Sequence, residues 1–190
     1  TASVNQDTAS YLQNVQKQMP RMERAIDDLS RLIEDMLSLL RYDRDAEQQA
    51  SRVDLGFIVH DVSESLKDNA QVKQIAYEVS IPDVPVLVVG DDTALRLACQ
   101  NLIHNALKYT PENGHVQVDL TIKQTDSAVL LRIADSGIGM SADDTSRVFE
   151  RFYRAQNAQS HSSHGSGLGL AIVKSIIESH GGVIKLESEL

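Results

Sequence analysis

Asn101-Leu102-Ile103-His104-Asn105-Ala106-Leu107-Lys108-Tyr109-Thr110-Pro111 is the stretch around which the rest of the chain is organised. Asp91 or Asp92 can cap a helix that runs into it, and Thr110-Pro111 stops that helix near Tyr109. Steps of four and three place Asn101, Asn105 and Lys108 on one face, while Leu95, Ala98, Leu102 and Ala106 occupy another. An amide oxygen can ligate a hard cation such as Mg²⁺ without adding negative charge, and an ammonium can meet phosphate oxygens. Taken in isolation, the same stripe reads more simply as a solvated helix face.

Three further clusters follow in order. Asp135-Ser136-Gly137-Ile138-Gly139-Met140 closes an apolar strand, and its glycines allow a ligand to approach the backbone. A carboxylate placed just before such a turn can accept from an exocyclic amine, although an ordinary Asp-Ser-Gly turn looks the same. Phe149-Glu150-Arg151-Phe152-Tyr153-Arg154 sets two arginines among aromatics, so Arg151 or Arg154 can reach a phosphate while the aromatics pin a hinge to the core. Gly165-Ser166-Gly167-Leu168-Gly169-Leu170 runs into a helix start, where unpaired N–H groups cradle anions. Its spacing fits neither the dinucleotide fingerprint nor the lysine-containing phosphate loop.

The elements between these clusters alternate. Val53-Asp54-Leu55 reads as a short strand, followed by an amphipathic helix carrying Ile58, Val59, Val62 and Leu66. Ile75 to Ile81 and Val86 to Val89 read as strands, and Val116 to Ile122 with Val129 to Ala134 as a hairpin. A short helix near Ala142 to Phe149 precedes a polar, Ser- and His-rich stretch from Gln156 to Ser166 that reads as a mobile loop. A last helix spans Leu168 to Ser179 and stops at Gly181-Gly182, with a strand expected from Val183 to Glu187.

The first fifty residues differ. Leu12, Val15, Met19, Met22, Ile26, Leu29, Ile33, Met36 and Leu40 form a heptad seam, about 43 Å long if fully helical. Pro20 either kinks that helix or sits in the first turn of one ending near Asp43. Such a stripe must pack against other helices, its own or those of a second copy.

Composition limits the options. Among 190 residues, 18 Lys and Arg stand against 27 Asp and Glu, a formal charge of −9, which argues against non-specific nucleic-acid binding. With three Phe, five Tyr and no Trp, the core must be mostly aliphatic. The lone Cys99 excludes an internal disulfide and a multi-cysteine metal site, and reads as a small core residue. No apolar run approaches a membrane span and no signal peptide is expected at the start, so the chain reads as an acidic, soluble, intracellular-type protein.

Together the four clusters resemble the N box, first glycine box, F box and second glycine box of the ATP-binding catalytic domain of bacterial sensor histidine kinases. The resemblance covers 52–190, and residues 1–48 resemble, more loosely, the second helix of the dimerisation and phosphotransfer hairpin. It implies an α+β fold, a two-layer α/β sandwich with three helices on one face of a mixed sheet. It further implies Mg²⁺ on the Asn105 amide oxygen, Asn101 beside the phosphates, Lys108 on phosphate and Tyr109 against the nucleotide. Asp135 would accept the adenine amine, with Gly137 and Gly139 permitting close approach. Gly165, Gly167 and Gly169, with Leu168 and Leu170 of the same motif, would wrap the triphosphate, and Arg151 or Arg154 would position the γ-phosphate.

The implied activity is ATP:protein-histidine phosphotransfer, with ATP and Mg²⁺ as cofactors and relay to a response-regulator aspartate. Implied partners are that regulator and a second copy through the helical hairpin, with no nucleic acid. The implied location is cytoplasmic, leaving open an inner-membrane anchor through segments outside this chain. Related ATP-hydrolysing proteins carry a Glu where this chain has Asn101, and an amide cannot activate water at neutral pH. The family's His-Glu/Asp-x-x-Thr/Asn-Pro acceptor segment does not occur here, and His60-Asp61 lacks its Thr/Asn and Pro. The chain therefore reads as lacking its own acceptor and the end of its sheet. An ATPase of the related superfamily and a non-enzymatic nucleotide-sensing dimerisation module are the alternative readings.

Overall fold

Short strands rich in Val, Ile and Leu alternate with helices that are apolar on one face, and the chain buries these faces against each other. The computed structural model describes residues 18–19, 51–123, 128–161 and 165–190. The heptad seam and the hairpin helix expected within 1–48 thus fall outside the described residues, apart from the exposed helical pair Gln18 and Met19.

The elements run β1 (Ser51–Asp54), α1 (Leu55–Ser65), α2 (Lys67–Val72), β2 (Ala76–Ser80), β3 (Leu87–Gly90), α3 (Asp92–Tyr109), β4 (His115–Lys123), β5 (Ala128–Asp135), α4 (Ala142–Arg147), α5 (Gln156–His161) and α6 (Gly169–Ser179). β2 pairs parallel to β4 from Ala76↔His115 to Ser80↔Asp119, and β4 pairs antiparallel to β5 from Val116↔Asp135 to Lys123↔Ala128. β1 and β3 form a separate antiparallel ladder. The result is the expected mixed sheet, with α1 and α3 packed against it and α6 seated on α3.

One side of this sandwich buries Ile58, Val59 and Val62 of α1, Ile103 and Leu107 of α3, and Val116, Val118 and Leu120 of β4. Alternation along β4 produces that inward row. A second apolar cluster seats α6 on α3 through Ala94, Ala98, Leu168, Ile172, Val173 and Ile176. Cys99 lies in the first cluster, where burial pushes its thiol up to about 12 despite the nearby Arg96.

Side chains fix the ends of these elements. Asp54 caps α1 with one oxygen, Oδ1, which accepts from Gly56 N at 3.0 Å, Phe57 N at 3.4 Å and Val86 N at 3.0 Å. Asp91 caps α3 by accepting from Ala94 N at 3.1 Å. His180 joins the end of α6 to the start of α3: its Nδ1 donates to Ile176 O at 2.7 Å and its Nε2 accepts from Asp91 N at 3.0 Å. This pair of bonds requires the tautomer with the proton on Nδ1. Gly181, at φ 70°, then ends α6 in a Schellman turn, with Gly182 N donating to Ile177 O at 2.8 Å.

Three elements differ from the sequence reading. The first amphipathic helix breaks at Leu66, whose φ of −101° and ψ of 0° end α1 and open α2. Within the stretch expected to be a loop, Gln156–His161 is helical. Val183 to Glu187 is not a strand, because no described residue pairs with it in a ladder. It runs past Ile184, which packs on the α3–α6 cluster, and is held by Ser188 Oγ accepting from Met140 N at 3.0 Å.

Candidate functional site

α3 carries the amide stripe into an open cleft against the start of α6. Asn101 Nδ2 donates to Leu97 O at 3.1 Å, which turns its carbonyl oxygen away from the helix axis. A Cβ at Gly169, the first residue of α6, would lie 2.8 Å from Asn101 Oδ1 and 4.0 Å from Asn105 Nδ2. A side chain at this position would press on the Asn101 amide, so glycine leaves the α6 N-terminus close to the stripe. That N-terminus has no side-chain cap, so its backbone N–H groups are suited to an anion.

Lys108 lies one turn further along. Its Nζ sits 5.2 Å from the centre of the Tyr109 ring. A Cβ at Gly165 would meet Lys108 Nζ at 3.3 Å and Arg154 Nε at 3.8 Å. Two cations thus flank one glycine backbone, an arrangement that favours a multiply charged anion between them.

The glycine turn after β5 forms the opposite wall. Asp135 Oδ1 accepts from Gly137 N at 2.9 Å, and Ser136 Oγ accepts from His115 N at 2.9 Å, tying the turn to the start of β4. Ile138 N donates to Tyr109 O at 3.2 Å, so the turn is bonded directly to the end of α3. Gly139 has φ 62°, which glycine adopts without the steric cost other residues carry.

Beyond the turn, Ser141 caps α4 and Tyr153 reaches back to it, donating its hydroxyl to Asp144 Oδ1 at 2.7 Å. The Ser141 and Tyr153 hydroxyls hold the Asp144 carboxyl below its ordinary range, while Asp144 raises Tyr153. The Arg147 guanidinium stacks 4.3 Å from the Tyr153 ring. Phe152 N donates to Gly167 O at 2.9 Å, closing the base of the segment between them.

The cleft is lined by Asn101, Asn105, Lys108, Tyr109, Asp135, Gly137, Gly139, Arg154, Gly165, Gly167, Gly169 and Leu170. Direct contacts bring the four clusters, dispersed over 70 residues of sequence, together: Tyr109 with Ile138, Phe152 with Gly167, Asn101 with Gly169, and Lys108 and Arg154 with Gly165. Two named residues stand apart. Arg151 is exposed and outside the cleft lining, which leaves Arg154 as the arginine facing the site. Leu168 is fully buried in the α3–α6 cluster and is not part of the cleft lining, so its side chain serves the core. Phe152 does not pin the hinge to the core either: it is 60% exposed at φ 64°, and the hinge is held by its backbone.

Sequence reasoning missed Asn157. Its Nδ2 donates to Gly139 O at 2.6 Å, linking α5 to the glycine turn. The residue sits in a polar stretch without periodicity, so no pattern marked it.

Residues 90–190 match the family described as histidine kinase-, DNA gyrase B-, and HSP90-like ATPase. The sensor protein kinase PmrB of Pseudomonas aeruginosa is 38% identical over 167 residues, covering 87% of this chain and 34% of that protein. The sensor histidine kinase WalK of Bacillus subtilis is 31% identical over 185 residues, covering 97% of this chain and 29% of that protein. The chain thus spans about a third of the length of these relatives. Among solved structures, the mycobacterial sensor histidine kinase MprB superposes with a TM-score of 0.58 at 35% identity, covering 70% of this chain and 80% of that one. Full-length ShkA in complex with AMPPNP superposes at 0.68 and 27% identity, covering 87% and 34%. With the four boxes converging on one cleft and these relatives beside it, the chain belongs to the histidine kinase-, DNA gyrase B- and HSP90-like ATPase family, and it carries a sensor histidine kinase catalytic domain.

Proposed function

We propose that the cleft holds Mg²⁺-ATP and presents its γ-phosphate to a histidine supplied by an acceptor helix, for onward relay to a response-regulator aspartate. The observation that carries this reading is the meeting of the amide stripe, the Asp135 turn and the α6 N-terminus around one cavity. AMPPNP bound to the structural relative ShkA supports the nucleotide. Asp135 is the acceptor for the adenine amine, and the bond between Ile138 and Tyr109 keeps that wall in register with α3.

The donor set fits a magnesium ion. Among the described residues no cluster of three or more His, Cys, Asp or Glu could hold a metal. The protein's offer is a neutral, hard amide oxygen on Asn105, which suits a cation already neutralised by phosphates. When bound, magnesium supplies charge neutralisation of the phosphates. Lys108 and Arg154 hold the terminal phosphates, and the N–H groups of α6 add a positive end-field. Transfer breaks the bond between the γ-phosphorus and the bridging oxygen, forms a phosphorus–nitrogen bond to imidazole, and leaves ADP. Positioning and charge neutralisation are the main sources of rate in such a step.

Asn101 makes transfer, not hydrolysis, the reaction. It occupies the place of the water-activating Glu, and its amide is already committed to Leu97 O. The homodimer through residues 1–48, a cytoplasmic location and a membrane anchor elsewhere in a longer protein belong to the same proposal. Among the described residues no helix is long and apolar enough to cross a membrane.

The test incubates the chain with γ-labelled ATP and Mg²⁺, with and without an added acceptor-helix protein. Label is expected on the acceptor alone, and Asn105→Ala should lower its rate by about a hundredfold. Labelling by Asn105→Ala at the unmodified rate would defeat the metal assignment. Rapid phosphate release without acceptor would establish the ATPase instead.

A further inference from the structure

Lys73 lies outside all four boxes, at the end of α2. Its ammonium donates to three main-chain carbonyls at the end of α3: Leu107 O at 2.8 Å, Lys108 O at 2.7 Å and Thr110 O at 2.9 Å. The last carbonyls of a helix have no partner within the helix. Here each is met: Ala106 O by Thr110 N and Oγ1, Tyr109 O by Ile138 N, and the others by Lys73.

The ammonium's own position is fixed as well. Gln74, at φ 54°, turns the chain back so that Gln74 N donates to Gln71 O at 3.0 Å and Ile75 N to Ala70 O at 2.9 Å. Asn113 N donates to Lys73 O at 3.1 Å, so the two segments are bonded in both directions. Burial lowers the Lys73 ammonium from the ordinary lysine range, against the pull of Glu112. A desolvated cation at a helix C-terminus is held there by its acceptors and by the helix dipole.

We propose that Lys73 is a positioning residue for the nucleotide site, its ammonium locking the three carbonyls that set where Lys108 and Tyr109 stand. The effect extends to the opposite wall, because Tyr109 O is the acceptor for Ile138 N of the glycine turn. Without the ammonium, Leu107, Lys108 and Thr110 lose a shared donor, and the last turn of α3 is free to fray. Lys108 and Tyr109 then leave the cleft even though every group that touches nucleotide is intact. The inference rests on the nucleotide-binding reading above.

The experiment measures affinity for a non-hydrolysable ATP analogue with Mg²⁺ by calorimetry, together with the unfolding midpoint. Lys73→Cys is made in a Cys99→Ala background and alkylated in denaturant before refolding. Bromoethylamine restores an ammonium of lysine length, whereas (2-bromoethyl)trimethylammonium restores the charge without N–H donors. Lys73→Met should bind about tenfold more weakly than the unmodified protein, and Lys73→Arg, which keeps charge and donors, should fall between them. The aminoethylated protein should recover affinity and the trimethylated one should not. Asp54→Ala serves as a comparison that removes the α1 cap, outside the four boxes, and its affinity should be unchanged.

Equal recovery by both alkylated forms would overturn the hydrogen-bonding role. Unchanged affinity in Lys73→Met would overturn the inference entirely, as would an equal loss in Asp54→Ala at a matched midpoint. If the unmodified protein failed to bind the analogue, the nucleotide reading itself would fall.

Discussion

Gly137→Ala tests the joint between α3 and the glycine turn. A Cβ at Gly137 would lie 2.5 Å from Asp135 Oδ1, 3.0 Å from Tyr109 O and 3.3 Å from Tyr109 C. The first contact can be relieved by rotating the Asp135 carboxylate, but this abandons its bond from Gly137 N. Losing a bond to an exposed carboxylate costs about 1 kcal/mol. The second contact cannot be relieved so easily, since Tyr109 O is held by Ile138 N at 3.2 Å. Forcing a methyl against a fixed backbone costs roughly 1–3 kcal/mol. The sum is about 2–4 kcal/mol, taken either as lost stability or as a shifted turn.

A turn that shifts carries Asp135 away from the adenine position, so affinity should fall by about tenfold or more. Urea denaturation and calorimetric titration with an ATP analogue read the two effects separately. Gly181→Ala is the internal comparison: it has φ 70° with no atom within 4 Å of its Cβ position. It should lose about 1 kcal/mol from left-handed backbone alone and bind nucleotide normally. Gly137→Ala with unchanged stability and unchanged affinity would refute the claim that the turn and α3 are rigidly joined.

Other outcomes follow from single contacts. Asp54→Ala removes the cap of α1 and leaves the buried Val86 N–H without its acceptor, so stability should fall by about 2–4 kcal/mol in urea titration. Asp144 is held below its ordinary pKa by Ser141 and Tyr153, so its contribution to stability is complete above the unfolded value. That contribution is lost as pH falls through the folded value, and in Tyr153→Phe the Asp144 carboxyl resonance should titrate at higher pH than in the unmodified protein. Cys99, with its thiol at about 12, should resist a thiol reagent at pH 8 until denaturant is added.

Local signals in the sequence were enough to place α3 and the hairpin. Asp91 or Asp92 reads as a cap and Thr110-Pro111 as a stop, and the structure takes Asp91, with the helix spanning Asp92–Tyr109. Period-two burial on β4 was equally visible, because Val116, Val118 and Leu120 alternate with polar residues. What failed was whatever depended on a distant partner. Val183 to Glu187 has strand composition, but a strand is made by its ladder, and composition does not supply one. Nothing in the sequence marks Lys73, because its acceptors lie 34 to 37 residues away. Leu168 was assigned to the nucleotide by its motif, whereas helix packing commits its side chain to the core. The choice between Arg151 and Arg154 was undecidable by spacing, and only the path of the chain after Phe152 turns one of them into the cleft.

The most direct measurement is a backbone and side-chain amide NMR titration of the chain with AMPPNP and Mg²⁺. Shifts saturating together at Asn105, Gly137, Gly139 and Gly169, with the Asn105 side chain responding only when magnesium is present, are the expected result. Separate saturation curves for α3, the glycine turn and the α6 N-terminus would show that they do not share one ligand, and the account would fail.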